Sequence, residues 1–178
     1  MDFKKLYKEA KQLATEKHAN QKYGDTRPYT VHLNDVDTVL RRFGVDPDLS
    51  DQNKNLLVGA WLHDVIEDTN VSFDQVKTQF GEEIATLVYA VTNEPGPNRK
   101  ARHLNTYPKI QKHPYAVILK LADRIANVEE SVRNQSPQLN MYRNEFIEFR
   151  AKLQKPGEAK EMWDHLIQLL GHCPSIKV

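Results

Sequence analysis

The sequence of 178 residues is poor in cysteine and has no long hydrophobic run. A single cysteine, Cys173, excludes an intramolecular disulfide and a zinc site built from several thiolates, so we expect a reducing compartment. No apolar run approaches the roughly 18 residues that span a bilayer, and the first residues, Met-Asp-Phe-Lys-Lys, show no apolar signal-peptide core. These absences predict a cytoplasmic protein without a membrane partner.

An excess of either charge is also missing. The 25 basic and 24 acidic residues give a net charge of +1, whereas proteins that track a nucleic-acid backbone carry a clear basic excess. We therefore expect no nucleic-acid partner, although a small anionic ligand would need only a local basic patch. The length fits one domain over residues 1–178, and both a monomer and a homodimer remain open.

Apolar residues recur at spacings of three and four through most of the chain, which predicts an all-α fold. Glycine and proline interrupt this pattern, and no convincing alternating strand is present. The predicted helices cover about 2–18, 31–43, 51–65, 72–80, 82–91, 101–111, 115–131, 137–153 and 157–170. Short connections between helices favour a bundle whose site is built from inward-facing side chains of several helices.

Two ligand-capable residues, His63 and Asp64, lie inside an apolar helical stretch. Burying a carboxylate costs several kcal/mol unless it is paired or bound to a metal. An isolated His-Asp pair is more often a structural feature of a helix end, but His32 and Asp123 occupy comparable positions elsewhere. Together these two imidazoles and two carboxylates suit a divalent metal such as manganese, iron, cobalt or zinc.

The remaining histidines have no matched partners in the sequence, and we expect them not to bind the metal. They are His103, His113, His165 and His172.

Four sequence phrases carry a resemblance to a known family. They are His18-Ala-Asn-Gln21, Pro28-Tyr-Thr-Val-His32, His63-Asp-Val-Ile-Glu-Asp-Thr69 and Lys120-Leu-Ala-Asp-Arg-Ile-Ala-Asn127. These phrases resemble the HD metal-dependent phosphohydrolase superfamily, and in particular the hydrolase domain of RelA/SpoT enzymes and small alarmone hydrolases. The resemblance implies a helical bundle with a motif core over about 18–127, a metal site between the core helices, and C-terminal helices at about 137–170.

The resemblance also implies a reaction, the metal-assisted hydrolysis of the 3′-pyrophosphate of guanosine tetra- or pentaphosphate. The metal, usually manganese in that family, would be held by His32, His63, Asp64 and Asp123. Glu67 and Asp68 would orient the attacking water and take its proton. This chemistry is coherent, because a bound cation acidifies water and a nearby carboxylate accepts the proton.

Several residues are candidates for contacts with the nucleotide. Asn127 lies one helical turn beyond Asp123 and would reach the ribose or a phosphate. The basic residues Arg99, Lys100 and Arg124 would meet phosphates, although each also fits a solvated helix face or a structural salt bridge.

The sequence departs from the family at Tyr23, where the alarmone hydrolases carry a basic residue that packs on guanine. A tyrosine ring can also stack on a purine, and Tyr142 falls where the family supplies base contacts. Three functions therefore remain open: an alarmone hydrolase, an HD phosphatase or pyrophosphatase for another nucleotide, and a nucleotide-sensing HD module without turnover. The acidic pair Glu67-Asp68 favours the first, because a sensor needs no water-activating groups.

Overall fold

The computed structural model describes residues 2–24 and 26–171, and these form a bundle of helices with one very short hairpin. The elements are α1 (Phe3–Lys17), β1 (Lys22–Tyr23), β2 (Arg27–Pro28), α2 (Thr30–Arg42), α3 (Asp51–Leu62), α4 (Val65–Asp68), α5 (Phe73–Phe80), α6 (Glu82–Val91), α7 (Arg99–Lys112), α8 (Ala116–Arg133), α9 (Gln138–Leu153) and α10 (Lys160–Leu170). The predicted all-α class is confirmed. Within the described ranges, no helix has both the length and the apolar character of a membrane span. Cys173 and His172 lie outside the described residues.

The expected helix over 51–65 is wrong in one respect, because the chain forms two helices there. α3 ends at Leu62 and α4 begins at Val65, so His63 and Asp64 lie at the junction. The His63 Nδ1 atom lies 2.8 Å from the carbonyl oxygen of Ala60. In a continuous helix that carbonyl would accept from the backbone N–H of residue 64, so the ring competes with the helix at this point.

The hairpin is the second difference from the sequence-based expectation. Lys22 pairs with Pro28 and Tyr23 pairs with Arg27 in antiparallel register. Strands of two residues are too short to produce an alternating pattern that sequence inspection can recognise. The hairpin leads from α1 to the start of α2, where His32 lies in the first turn.

α3 is the central helix of the bundle, and residues 56–62 are all buried. A helix that is apolar on every side is typical of a position surrounded by other helices, and α3 packs against α1, α2, α6 and α8. Gly59 allows the close approach of two of these neighbours. A Cβ atom placed there would lie 3.1 Å from Leu87 Cδ2 and 3.3 Å from Leu119 Cδ2.

α8 is the other helix that organises the site. It packs along α2 and also contacts α7, α9 and α10. Each of Lys120, Asp123, Arg124 and Asn127 lies three residues from one of the others and four from another, so they share one face of α8. Because α2 lies against α8, His32 is brought next to Asp123.

We predict that Gly59→Val lowers the free energy of unfolding by about 2 kcal/mol, because the added methyl groups have no room beside two buried leucines. Chemical denaturation monitored by circular dichroism measures this change. The matched control is Gln52→Val, which introduces the same side chain at an exposed position of α3. Equal destabilisation by both substitutions would show that the close packing at Gly59 has no energetic role.

Candidate active site

The four predicted metal ligands converge where α2, α8 and the α3–α4 junction meet. His32 Nε2 lies 3.3 Å from His63 Nε2 and 3.3 Å from Asp123 Oδ1. Asp64 Oδ2 lies 2.9 Å from His63 Nε2 and 3.7 Å from His32 Nε2. Ligand atoms of His32, His63 and Asp123 are all within 4.8 Å of one another. Residues from distant parts of the chain thus point at one small volume.

This donor set fits a divalent metal ion. The side chains of His32 and His63 are only 2% and 1% exposed. Since His63 Nδ1 donates to the Ala60 carbonyl, the Nε2 atom of a neutral ring presents a bare lone pair to its neighbours. Those neighbours are another imidazole nitrogen and two carboxylates, so the buried cluster favours a cation, which is either a proton held on His63 or a metal ion bound by the cluster. Nitrogen and carboxylate oxygen ligands suit divalent transition metals.

Neighbouring groups keep both carboxylates of the cluster ionised. Burial alone would raise the pKa of Asp64, but His63 outweighs it and the pKa is lowered. Lys120 Nζ lies 3.0 Å from Asp123 Oδ2. Burial would raise the pKa of Asp123 as well, but the charge of Lys120 outweighs it and this pKa is also lowered. Burial also opposes protonation of His63, yet Asp64 and Asp123 raise its pKa to about 9. The Tyr29 hydroxyl donates to Asp64 Oδ2 and orients that carboxylate.

Glu67 and Asp68 lie three and four residues beyond Asp64, on the same side of the short helix α4, and both line the cleft. Glu67 is held by Asn93, whose backbone N–H and side-chain amide donate to its two oxygens at 2.8 and 3.0 Å. Asp68 Oδ2 accepts from Gln21 Nε2 at 2.8 Å. Partial burial of its carboxyl raises the pKa of Asp68, the Gln21 hydrogen bond lowers it, and the Asp64 and Glu67 carboxylates raise it further.

Two arginines form a cationic part of the cleft. Arg99 Nε lies 2.6 Å from Glu145 Oε1, and Arg124 Nη1 lies 2.7 Å from Glu145 Oε2. Both guanidinium groups also lie over the Tyr142 ring, at 5.9 Å for Arg99 and 4.9 Å for Arg124. Glu145 therefore gathers the two arginines beside a tyrosine. The sequence offered no signal for Glu145, because this residue belongs to α9 and reaches the site only through helix packing.

Lys100 is not brought into the cleft. Its side chain is 74% exposed, and its ammonium lies 3.8 Å from Glu148 Oε2. Adjacent residues on a helix point about 100° apart, and Arg99 takes the direction that faces the cleft.

His103 lines the cleft although no role was predicted for it. It lies four residues after Arg99 on α7, and its Nδ1 atom is 4.0 Å from Glu145 Oε2. Burial and the charge of Arg99 lower its pKa to about 4, so the ring is neutral at physiological pH. The spacing of four from a predicted phosphate contact is the signal that would have identified it.

Tyr23 is connected to Asp123 by two hydrogen bonds that pass through Asn127. Its hydroxyl donates to Asn127 Oδ1 at 3.2 Å, and Asn127 Nδ2 donates to Asp123 Oδ1 at 2.6 Å. The Tyr23 ring lies 4.9 Å from that of His32. Asn127 lines the cleft directly, whereas Tyr23 forms the layer behind it.

The polar cleft has a volume of about 190 Å³, and its lining includes His32, Asp64, Asp123, Glu67, Asp68, Arg99 and Arg124. Metal-ligand candidates, two oriented carboxylates and two arginines meet in it, and a concave site with several perturbed pKa values is typical of catalysis. The arrangement is suited to hydrolysis of an anionic substrate.

Comparison with known proteins agrees with this chemistry. The HD domain family matches residues 10–153. A guanosine-3′,5′-bis(diphosphate) 3′-pyrophosphohydrolase of Aquifex aeolicus is 33% identical over 124 residues, which cover 67% of this chain and 17% of that protein. The corresponding enzyme MESH1 of Drosophila melanogaster is 32% identical over 127 residues, which cover 70% of this chain and 68% of that protein.

A solved structure supports the same relationship. It is described as a metazoan ortholog of SpoT that hydrolyses ppGpp and plays a role in starvation responses. The two structures superpose with a TM-score of 0.74 at 26% identity, covering 93% of this chain and 96% of the other. The present chain thus spans about a sixth of the Aquifex enzyme but most of the MESH1-type proteins. It belongs to the HD-domain family and, within it, to the MESH1 family of guanosine-3′,5′-bis(diphosphate) 3′-pyrophosphohydrolases.

Proposed function

We propose that this chain hydrolyses guanosine 3′,5′-bis(diphosphate) and its pentaphosphate form, releasing the 3′-pyrophosphate. The observation that carries this proposal is the pair Glu67 and Asp68 beside the buried histidine–aspartate cluster, with each carboxylate oriented by its own amide donor. A site that merely binds a nucleotide has no need of two oriented carboxylates next to a metal set. The similarity to MESH1 enzymes supports the substrate.

The metal would be held by His32, His63, Asp64 and Asp123, and we propose that it is manganese. When bound, such a cation acidifies water and neutralises charge on phosphoryl oxygens. The support is the mixture of imidazole and carboxylate ligands, which iron, cobalt and zinc also accept. Lys120 balances part of the negative charge of Asp123 without supplying a ligand atom.

In the proposed mechanism Glu67 accepts the proton of the attacking water. Asn93 donates to both Glu67 oxygens, and each oxygen keeps a further lone pair for the water. Asp68 orients the same water, and its raised pKa brings it closer to the range in which a carboxylate exchanges protons readily. Both groups act from α4, one turn beyond Asp64, so their distance from the metal ligands is set by the helix.

We propose that Arg99 and Arg124 bind phosphates of the substrate. Guanidinium groups pair with phosphate oxygens in bidentate fashion, and Glu145 holds both groups in place before the substrate arrives. Lys100, farther out, would contribute only long-range attraction.

Three further residues are proposed to position the nucleoside. Tyr142 would stack on the base, and Asn127 would meet the ribose. Tyr23 would act from behind the cleft lining by orienting Asn127 through its hydrogen bond.

A second candidate function is hydrolysis of another nucleotide by the same machinery. The observation in its favour is Tyr23, which replaces the basic residue of the alarmone hydrolases and uses its hydroxyl on Asn127. A panel of purine nucleotides offered to the metal-loaded enzyme separates the two functions. The alarmone is the substrate if it yields pyrophosphate with the highest kcat/KM of the panel.

We further propose that residues 1–178 act as one domain in the cytoplasm. In support, α10 packs on α8 and α9, and Trp163 belongs to the same apolar cluster as the core of α8. The single cysteine suits a reducing compartment.

Replacing Glu67 with glutamine is expected to lower kcat by about 10²- to 10³-fold, because the proton acceptor is lost while the shape of the side chain is kept. Pyrophosphate release from guanosine 3′,5′-bis(diphosphate) measures the rate. Glu16→Gln, the same change on the exposed face of α1, is the control and should retain wild-type activity. A Glu67→Gln enzyme of normal rate would remove Glu67 from the mechanism.

Metal binding is expected to stabilise the folded protein, and Asp123→Asn should abolish that gain. At a metal concentration of about 100 times Kd the stabilisation amounts to about 2.7 kcal/mol. Thermal unfolding of metal-stripped protein, with and without added manganese, iron, cobalt or zinc, measures this stabilisation. The rate of pyrophosphate release, measured with each metal in turn, should be highest with manganese. The exposed Asp48→Asn variant is the control. A manganese response in Asp123→Asn equal to that of the wild type would contradict the assigned ligand set.

Arg99→Ala is expected to raise KM by about tenfold or more, since a charge-assisted hydrogen bond contributes about 1.5–3 kcal/mol. Its neighbour Lys100 provides the matched control. Lys100→Ala should change KM by less than about threefold, because an exposed ion pair contributes little. Steady-state kinetics of the two variants measure both KM values. Equal changes of KM in Arg99→Ala and Lys100→Ala would show that Arg99 does not bind the substrate in the cleft.

A further inference from the structure

A chain of hydrogen bonds runs from a buried histidine to the rim of the cleft. His18 Nδ1 lies 2.6 Å from Gln21 Oε1, and Gln21 Nε2 lies 2.8 Å from Asp68 Oδ2. His18 and Gln21 belong to the loop that follows α1, whereas Asp68 ends α4. The loop and the catalytic helix are thereby connected through one side-chain amide.

The chemistry of the amide fixes the direction of this chain. A glutamine side chain has one end that donates and one that only accepts. The donating end faces the Asp68 carboxylate, so the accepting oxygen must receive a proton from His18 Nδ1. The reversed amide would bring two oxygens together and would repel the carboxylate. His18 is therefore expected to carry a proton on Nδ1.

The surroundings of His18 give an independent reason to assign it this role. The residue is only 2% exposed, and its ring stacks on Tyr29 with 4.9 Å between ring centroids. Its Nε2 atom is buried and makes no hydrogen bond within residues 2–24 and 26–171. Phenylalanine would stack equally well and would bury no unpaired nitrogen. The donor at Nδ1 explains why an imidazole occupies this position.

The backbone of Gln21 is held as well. Its N–H donates to the His18 carbonyl at 2.9 Å, and its own carbonyl accepts from Tyr29 N at 3.2 Å. Asp68, in contrast, is exposed at the rim. Because water competes for an exposed hydrogen bond, the contact with Gln21 adds little to stability. Its effect is to select one orientation of the Asp68 carboxylate.

We propose that Gln21 is a positioning residue for Asp68, and that His18 holds the Gln21 amide in the orientation that donates to this carboxylate. The proposal rests on the proposed function, because the orientation of Asp68 matters for the rate only if Asp68 acts on the attacking water.

The first test does not depend on activity. Nitrogen NMR of zinc-loaded protein carrying ¹⁵N-labelled histidine identifies the tautomer of each neutral ring, and His18→Phe assigns the signal. We expect His18 to carry its proton on Nδ1. A His18 ring protonated on Nε2 alone would overturn the proposal, since Gln21 Oε1 would then face the lone pair of Nδ1.

The second test measures kinetics. Gln21→Glu keeps the size of the side chain but presents oxygen to Asp68, and His18→Phe keeps the stacking on Tyr29 but removes the donor. We expect each to lower kcat about tenfold, as for a catalytic group held in a less productive orientation, with KM and the midpoint of thermal unfolding nearly unchanged. His18→Asn, whose amide can place a donor near the former Nδ1 atom, should recover most of the loss.

A double-mutant cycle with Asp68→Asn separates positioning from a general structural effect. In the Asp68→Asn background, Gln21→Glu should cause no further loss of kcat. Additive losses, or a fall in metal affinity and thermal midpoint that matches the fall in kcat, would overturn the proposal. If the wild-type enzyme releases no pyrophosphate from the alarmone, the proposed function fails instead, and the tautomer measurement still decides whether His18 holds Gln21.

Discussion

The site depends on one electrostatic requirement: two imidazole nitrogens and two carboxylates meet in a buried space that only a cation can make favourable. His63 donates its Nδ1 proton to the Ala60 carbonyl, which turns its other nitrogen toward the cluster and at the same time ends α3. The break between α3 and α4 follows from this contact. It sets the start of α4, and with it the positions of Glu67 and Asp68.

The supporting groups around the cluster come from distant parts of the chain, and each has a separate effect. Lys120 keeps Asp123 ionised, and the Tyr29 hydroxyl orients Asp64. Asn93 and Gln21 donate hydrogen bonds to Glu67 and Asp68, the two carboxylates that we propose act on the attacking water. Such neighbours are as important to a metal site as its ligands, because they determine which lone pairs face the metal and the substrate. Activity is therefore expected to respond to residues that never touch the nucleotide.

Sequence patterns pointed to the proposed metal ligands because polar residues inside apolar helices are conspicuous. Glu67 could be placed because its spacing from Asp64 is helical. Other features arise only from tertiary packing: Glu145 arrives with α9, and the hairpin strands are too short to show a period. Sequence alone also could not separate Arg99 from Lys100, since neighbouring helical residues face different directions and only the fold decides which one meets the cleft.

The central claim is that this site directs water to the 3′-pyrophosphate of a guanosine alarmone. The most direct test is to run the reaction of manganese-loaded enzyme with guanosine 3′,5′-bis(diphosphate) in ¹⁸O-labelled water and to analyse the products by mass spectrometry. We expect guanosine 5′-diphosphate together with pyrophosphate that carries one ¹⁸O atom. Labelled orthophosphate, or an alarmone that remains intact, would contradict it.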